Sequence, residues 1–236
     1  MIYITGDIHG RLSKIDNFCE YTKTSILDTL IILGDSGFNY FLDSKDMEMK
    51  QAASELPITI FCIRGNHEER PENVPGYQEQ MYLGDTVYYQ PEYPNIKFAK
   101  DGGIYMFGDK RCLVLGGAYS VDKHYRLMRG WSWFESEQLT EEERNTIDSY
   151  IYDNPKYDYV LTHTSPYNTR PIHLFLAGID QSQVDTTMET WLQKVSENIT
   201  FDKWYFGHYH GEWQNGKYIM LFNGFLKLGD DLDSKS

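Results

Sequence analysis

The sequence has 236 residues, of which 41% are hydrophobic and 24% are charged, so it is long enough to bury the core of one large globular domain. Its formal net charge of −13 repels polyanions at long range, which makes bulk nucleic acid an unfavourable partner. The three cysteines, Cys19, Cys62 and Cys112, form no Cys-x-x-Cys pair, so neither a disulfide framework nor a thiolate zinc site is indicated.

The first residues show no basic region followed by an apolar stretch, as a signal peptide would. No apolar segment approaches the length that is needed to span a bilayer. We therefore expect a soluble, cytoplasmic protein that does not bind membranes.

Apolar runs alternate with amphipathic stretches along the chain, which is typical of an α/β fold. Short β-like pieces separated by Gly, Pro and Asp-Gly between residues 86 and 118 indicate hairpins. The acidic tail, 229–236, is expected to be disordered, which leaves a single domain over residues 1–228. Strands are predicted within residues 2–5, 29–35, 58–69, 157–163, 202–208 and 217–223, and helical or amphipathic stretches at 11–24, 41–55, 136–151 and 186–198.

Five of the apolar strands run directly into polar residues of the kinds that bind metals. In open α/β sheets, ligands collect beyond the carboxyl ends of the strands, so we expect these residues to converge on one place. Neighbouring glycines permit the backbone angles of tight loops there. The motifs are GDIHG with Asp7 and His9, LGDSG with Asp35, RGNHE with Asn66 and His67, LTHTSP with His163, and FGHYHG with His208 and His210.

The chemistry of these side chains narrows the choice of metal. Carboxylate, amide oxygen and imidazole without thiolate favour manganese first, with iron, zinc, nickel or magnesium as alternatives. Seven candidate ligands, counted without His67, are too many for one ion but suit two divalent ions that share a bridging carboxylate. Two ions about 3.5–4 Å apart can activate a water molecule and stabilise a displacement at phosphorus.

Taken together and in this order, the five motifs resemble those of the calcineurin-like metallophosphoesterase superfamily. The resemblance extends from Asp7 to His210. It implies an α/β fold of two packed mixed β-sheets flanked by helices, a four-layer sandwich. It also implies that the chain is an enzyme that hydrolyses phosphate esters.

The same resemblance implies a role for each site residue. Asp35 would bridge the two ions, and His67 would lie outside the ligand set, where it would protonate the leaving oxygen or stabilise the phosphoryl charge. The first metal would be held by Asp7, His9 and His210, and the second by Asn66, His163 and His208.

Two positions depart from the serine/threonine protein phosphatase branch, which GDIHG and IRGNHE otherwise resemble. That branch continues its second motif as Gly-Asp-x-x-Asp-Arg-Gly, whereas this chain has GDSGFN. Phe38 stands where that branch has the acid that orients the catalytic histidine, and Asn39 replaces its phosphate-binding arginine. The closing GHYH is typical of phosphodiesterase and nuclease branches.

Two arginines are candidates for substrate binding. Arg64 could contact phosphate bidentately or pair with an acid such as Glu68 to brace the loop. Arg126 lies in the unusual segment 116–134, GGAYSVDKHYRLMRGWSWF. This segment could be a substrate loop, with a base stacked on Trp131 or Trp133 and phosphate on Arg126, or a loop whose aromatics pack inward.

The sequence thus favours a binuclear metal-dependent phosphoesterase acting on a small phosphorylated substrate, such as a nucleotide, through a metal-bridging hydroxide that attacks a phosphomonoester or phosphodiester. A serine/threonine-type phosphoprotein phosphatase is the main alternative. A DNA nuclease fits less well because of the charge of −13. A non-catalytic scaffold also fits less well, because such a protein need not keep every ligand.

Overall fold

The computed structural model describes residues 1–175 and 177–234. In these ranges it contains five α-helices and thirteen strands, joined by loops and short 3-10 turns. The helices are α1 (Leu12–Thr22), α2 (Ser44–Ser54), α3 (Lys123–Arg129), α4 (Glu141–Ile151) and α5 (Thr187–Asn198). The strands are β1 (Ile2–Thr5), β2 (Thr29–Ile32), β3 (Thr59–Cys62), β4 (Gln78–Tyr82), β5 (Asp85–Tyr89), β6 (Ile96–Ala99), β7 (Ile104–Phe107), β8 (Lys110–Leu115), β9 (Lys156–Thr162), β10 (Thr200–Phe206), β11 (Trp213–Asn215), β12 (Tyr218–Met220) and β13 (Phe225–Lys227).

The strands form two mixed sheets. The first has seven strands in the order β13-β1-β2-β3-β6-β5-β4, and β1, β2, β3 and β6 are parallel. The second has six strands in the order β11-β12-β10-β9-β8-β7, and β12, β10, β9 and β8 are parallel. The parallel strands β1, β2 and β3 are buried almost throughout, as expected for strands covered on both sides.

Three hydrophobic clusters define the layers. The central cluster joins residues of both sheets, such as Ile31 and Phe61 from the first and Val114 and Leu161 from the second. A second cluster packs α1 and α2 on the outer face of the first sheet, and a third packs α4 and α5 on the outer face of the second. The order is therefore helices, sheet, sheet, helices, which confirms the predicted fold class.

Several elements were not predicted from the sequence. Strands β4, β6, β11 and β13 and helix α3 were missed, because each is short or largely polar and gives a weak periodic signal. The predicted acidic tail is described as far as residue 234. Within it, Lys203 donates a hydrogen bond to the carbonyl of Gly229, and Leu232 packs against the central cluster. These contacts hold residues 229–232 against the second sheet, and residues 235 and 236 lie outside the described residues.

Among the described helices, we find none with the length and apolar character that a membrane-spanning helix requires.

Candidate metal centre

The polar motifs follow β1, β2 and β3 of the first sheet and β9 and β10 of the second. All five loops meet at one end of the sandwich, where their side chains contact each other across the gap between the sheets. The centre is therefore built by both sheets, and their packing fixes its geometry.

Four of the site residues adopt left-handed backbone angles, which residues other than glycine rarely adopt. The φ angles are +48° for His9, +51° for Asp35, +68° for His208 and +53° for His210. Each such residue costs about 1–3 kcal/mol, and such costs concentrate at functional sites. The angles bring alternate side chains of the tight loops, His208 and His210 among them, onto the centre.

Two glycines allow the loops to approach closely. Gly34 has φ +93°, and a Cβ atom there would overlap the ring of His163. A Cβ atom on Gly65 would overlap the carboxylate of Asp35. The glycine before each of these loops is thus required by the side chain that lies against it.

The first ligand group consists of Asp7, His9 and His210. Nε2 of His210 lies 3.1 Å from Oδ2 of Asp7, and Nε2 of His9 lies 3.7 Å from the same oxygen. The two imidazole nitrogens are themselves 3.0 Å apart. These three atoms face a common point and can act as ligands of one ion.

The second group consists of Asn66, His163 and His208. Oδ1 of Asn66 lies 2.8 Å from Nε2 of His163 and 3.1 Å from Nδ1 of His208. Nδ1 of His163 is 2.7 Å from the carbonyl oxygen of Leu33, which can only accept, so the neutral ring carries its proton on Nδ1 and leaves Nε2 free to ligate. The amide of Asn66 donates to Oγ of Ser120 at 2.8 Å, which directs Oδ1 toward the centre.

Asp35 lies between the two groups. Its Oδ2 is 3.8 Å from Nε2 of His9 and 3.6 Å from Nε2 of His163. Its Oδ1 accepts a hydrogen bond of 2.8 Å from the backbone amide of His67. One oxygen is therefore held by the protein, while the other faces both groups.

Burial and mutual charge set the protonation of the centre. Burial by itself would raise the pKa of Asp7 and Asp35, but the neighbouring histidines outweigh it and lower both, so both carboxyls are ionised. Burial lowers the pKa of His9, and it lowers that of His208 to about 3. The contact with Asp7 raises the pKa of His210. Ionised carboxylates, and neutral imidazoles such as those of His9 and His208, are the states in which these groups bind metal.

A divalent ion fits this arrangement. Oδ2 of Asp7 is fully buried and makes no hydrogen bond of good geometry, although its neighbours are imidazole nitrogens. A buried carboxylate oxygen that has ion-pair neighbours but no hydrogen bond is incompletely compensated, and a positive ion would recover that free energy. The donor set of two carboxylates, one amide oxygen and four imidazoles contains no thiolate, in agreement with manganese, iron, zinc, nickel or magnesium.

His67 lies beside the centre. Its ring is 5.3 Å from that of His9, between centroids, and it forms a possible ligand cluster with His9 and Asp35. Burial lowers its pKa, Asp35 opposes this effect, and the positive charge of Arg126 reinforces it. His67 also lines two cavities that open on either side of the centre. The structure thus brings His67 together with the seven predicted ligands.

The structure contradicts the substrate-binding role predicted for Arg64 and agrees with the alternative, a brace paired with an acid, although that acid is Asp101 rather than Glu68. Arg64 is only 2% exposed, and its guanidinium donates to the Asp101 carboxylate at 3.0 and 3.1 Å. It also donates to the carbonyls of Ser136 and Glu137. These acceptors use the directions in which a phosphate would bind, so Arg64 is a structural brace.

Glu68 instead joins the loops after β2 and β3. It accepts hydrogen bonds from the backbone amides of Gly65 and Gly37 and from the hydroxyl of Ser36. Burial raises its pKa. Since these loops carry Asp35 and Asn66, Glu68 positions two of the predicted ligands.

Arg126 lies on α3 with its guanidinium directed to a cavity beside His67. The residue is 1% exposed, and neither Nη1 nor Nη2 has a hydrogen-bond partner. Its Cζ lies 5.5 Å from the ring centroid of Tyr40. We call this space the Arg126 cavity; it is about 250 Å³ in volume and is also lined by His9, His67, Tyr40 and Trp131. The structure therefore places Arg126, unlike Arg64, where a substrate anion could reach it.

The segment 116–134 combines the two alternatives that the sequence left open. Trp131 is half exposed and lines the Arg126 cavity. Trp133 donates to the buried carboxylate of Glu137 at 2.9 Å and packs under Lys123, so it is structural.

Two acidic residues near the centre were not singled out from the sequence as site residues. Asp122, just before α3, lines both cavities with His67. Glu189, in the first turn of α5, is buried and lines the second cavity. Neither follows a strand, so the strand-end signal that found the ligands could not find them.

This chain is similar to a known family in sequence and to a solved structure in fold. A family model described as calcineurin-like phosphoesterase matches residues 1–212. No curated protein matches the sequence. One crystal structure is similar with a TM-score of 0.54 at 13% identity, covering 96% of this chain and 94% of the other. TT1561 of Thermus thermophilus has a TM-score of 0.49 at 13% identity, covering 94% and 87%. At this identity, the first of these likenesses shows the fold alone.

Proposed function

Since the chain belongs to the calcineurin-like phosphoesterase family, we propose that it is a binuclear metal-dependent hydrolase of phosphate esters whose substrates are small and nucleotide-like. The family acts on phosphoester bonds with divalent metals, and candidate ligand groups are present here. The number of ions, the bridging role of Asp35 and the substrate class are our proposals.

The position of Asp35 carries the proposal. Its free oxygen faces His9 of the first group at 3.8 Å and His163 of the second at 3.6 Å. A carboxylate that served a single ion would not need to lie within reach of both groups. The arrangement supports two ions on either side of Asp35.

When bound, two such ions would activate a water molecule and stabilise the charge that develops on the phosphoryl oxygens. The protein's own contribution is to orient the ester and to manage one proton. His67 is neutral when the site is empty because burial lowers its pKa. A phosphate dianion beside it favours the charged ring, so His67 would gain a proton with the substrate and donate it to the leaving oxygen.

Arg126 supports the nucleotide-like substrate. Its buried guanidinium is permanently charged, and its terminal nitrogens have no acceptor. An anion in the Arg126 cavity would accept hydrogen bonds from these nitrogens and compensate the buried charge. Tyr40 and Trp131 provide aromatic walls there for a flat group. Asn39, by contrast, is buried and bonded to Tyr77 and to the carbonyl of Glu69, so it holds no substrate.

The proposal is tested by removing and restoring metal. The protein is treated with a chelator and assayed with manganese, iron, zinc, nickel or magnesium on 4-nitrophenyl phosphate, bis(4-nitrophenyl) phosphate, adenosine 5′-monophosphate and a phosphoserine peptide. We expect no hydrolysis without metal, recovery with manganese, and a higher kcat/KM on the nucleotide than on the peptide. Metal-independent hydrolysis would refute the proposed chemistry, and preference for the peptide would refute the proposed substrate class.

A further inference from the structure

A second cavity opens on the other side of His67. Its volume is about 250 Å³, and at one end it is lined by the metal centre, including Asn66 and His208. Its far walls are mostly apolar and include Leu174, Phe175 and Val184. We call it the Glu189 cavity, after the buried acid that also lines it.

Glu189 has one oxygen bonded by the protein and one without a partner. The residue is 5% exposed, and its Oε1 accepts a hydrogen bond of 2.9 Å from the hydroxyl of Thr164. Its Oε2 is buried and has no hydrogen-bond partner. A buried polar atom left without a partner costs about 1–3 kcal/mol, so a ligand that satisfied Oε2 would recover part of this free energy.

Another buried glutamate shows how the fold satisfies such a group when its role is structural. Oε1 of Glu137 accepts from the backbone amide of Ser120, and Oε2 accepts from the indole of Trp133. Both oxygens are therefore used inside the protein. Glu189 is also buried, but only its Oε1 is hydrogen-bonded within the protein. Its Oε2 is therefore available to a ligand, which neither oxygen of Glu137 is.

Hydrogen bonds also link Glu189 to the metal centre. The hydroxyl of Thr164, which bonds Glu189, lies 2.9 Å from the hydroxyl of Tyr209. Tyr209 stands between the ligands His208 and His210, and Thr164 follows the ligand His163. A group held by Glu189 would therefore have a fixed position relative to the reacting phosphorus.

The walls indicate the shape of that group. Phe175 and Tyr209 are stacked with ring centroids 6.0 Å apart and planes 20° apart. Both line the cavity, together with aliphatic side chains. Flat apolar groups pack well against such walls.

We propose that the Glu189 cavity is the leaving-group subsite, and that Oε2 of Glu189 accepts a hydrogen bond from an N–H or O–H donor on a flat, mostly apolar leaving group. This inference rests on the proposed phosphoesterase function, which it deepens by naming what leaves. The Arg126 cavity, across His67, is then left for the part of the substrate that stays on the phosphorus, such as the nucleoside of a diester.

The test uses two aryl phosphates of nearly equal shape whose phenols are of nearly equal acidity, 4-aminophenyl phosphate and 4-methylphenyl phosphate. A longer pair, 4-(aminomethyl)phenyl and 4-ethylphenyl phosphate, extends the donor further into the cavity. For the metal-loaded wild type we expect kcat/KM to favour an amino ester over its alkyl partner by about 10-fold in at least one pair, the size of one hydrogen bond to a buried charged or polar group.

The variant Glu189→Gln keeps the size and the acceptor for Thr164 but replaces the free oxygen by a donor. We expect it to reduce the ratio of kcat/KM for the amino ester to kcat/KM for the alkyl ester to about one. Glu197→Gln, an exposed position on the same helix, is the matched control and should keep the preference. A preference unchanged in Glu189→Gln, or absent from both wild-type pairs, would overturn the inference.

Binding of the free phenols separates this inference from the proposed function. Saturation-transfer NMR should show that the wild type binds the amino phenol of the preferred pair more tightly than its alkyl partner, whether or not esters are hydrolysed. Val184→Phe, which fills the cavity from a half-buried position, should weaken binding of both phenols. Absence of hydrolysis with this binding pattern would refute only the phosphoesterase proposal, and phenol binding unaffected by both variants would refute the subsite.

Discussion

The backbone amide of His67 donates a hydrogen bond of 2.8 Å to Oδ1 of Asp35. The residue that we propose to donate the proton is thereby fixed to the residue that we propose to bridge the ions. The bond uses the backbone of His67, so the imidazole stays available for substrate, and it uses only one oxygen of Asp35. The two roles can therefore be tested separately.

His67→Ala should keep its metal but lose rate. If the ring acts as a general acid, kcat should fall by roughly 10²–10⁴-fold. The loss should be smaller for 4-nitrophenyl phosphate than for phenyl phosphate, because an acidic leaving group needs little protonation. Metal analysis and kcat on both esters check this, with the exposed His124→Ala as control. A parallel loss of metal and rate would instead make His67 a ligand.

Arg126→Ala should harm large substrates more than small ones. A contact remote from the reacting phosphorus helps only a substrate that reaches it. We expect kcat/KM for the 4-nitrophenyl ester of adenosine 5′-monophosphate, whose nucleoside stays on the phosphorus, to fall by at least 10-fold more than kcat/KM for 4-nitrophenyl phosphate. Arg129→Ala, exposed on the same helix, is the matched control. Equal losses on both substrates would contradict a role in binding the nucleotide.

Gly34→Ala should disturb the second ligand group. Any L-residue at φ +93° is strained, and its Cβ would also displace the His163 ring. Gly108→Ala is the matched control, because Gly108 has φ +68° but no atom within 4 Å of an added Cβ. We expect the control to lower the free energy of unfolding by about 1–2 kcal/mol. Gly34→Ala should lower it further and reduce bound metal, as measured by urea unfolding and metal analysis. Equal effects of the two substitutions would refute the close approach.

His208 should make the metal-free protein less stable in acid. Burial lowers its folded-state pKa to about 3, below the ordinary value near 6.5. Between these values the unfolded chain binds a proton that the folded chain excludes, so stability falls as pH falls through this window. Each pH unit well inside it costs about 1.4 kcal/mol for a single group.

The measurement compares urea unfolding of chelator-treated wild type and His208→Gln at pH 7.5 and pH 5.5. We expect the wild type to lose about 1.4 kcal/mol more than the variant over this interval. The raised pKa of His210 acts in the opposite direction, but it is present in both proteins. An equal loss in the two proteins would show that His208 is not buried in its neutral form.

Site residues at the ends of parallel strands could be predicted from the sequence. Those that reach the centre from other elements could not. Asp7, Asp35 and His163 each follow an apolar run, and parallel strands bring such ends to one edge. That edge was therefore predictable from the strands, whereas the four-layer fold was implied by the resemblance of the five motifs to a known family. The pairing of short polar strands such as Gln78–Tyr82 was not, because it depends on contacts distant in sequence.

Arginine and glutamate roles were harder to assign because they depend on partners. Arg64 precedes a ligand motif and still braces the fold, since Asp101, distant in sequence, takes its guanidinium. Arg126 is also a buried arginine, but the terminal nitrogens of its guanidinium have no acceptor. The two arginines differ only in whether residues distant in sequence supply an acceptor. Glu189 was missed for the same reason, because the lack of a partner for its Oε2 depends on how α5 packs in the fold.

The most direct test of the account is the metal content of Asp35→Asn, determined by elemental analysis after dialysis against manganese. Asn keeps the size of the side chain but removes the charge that two ions would share. We expect two ions per chain in the wild type and in Asp202→Asn, an exposed control on β10. In Asp35→Asn we expect well below two bound ions per chain and no measurable hydrolysis of 4-nitrophenyl phosphate. Two tightly bound ions and full activity in Asp35→Asn would contradict the binuclear centre bridged by this carboxylate.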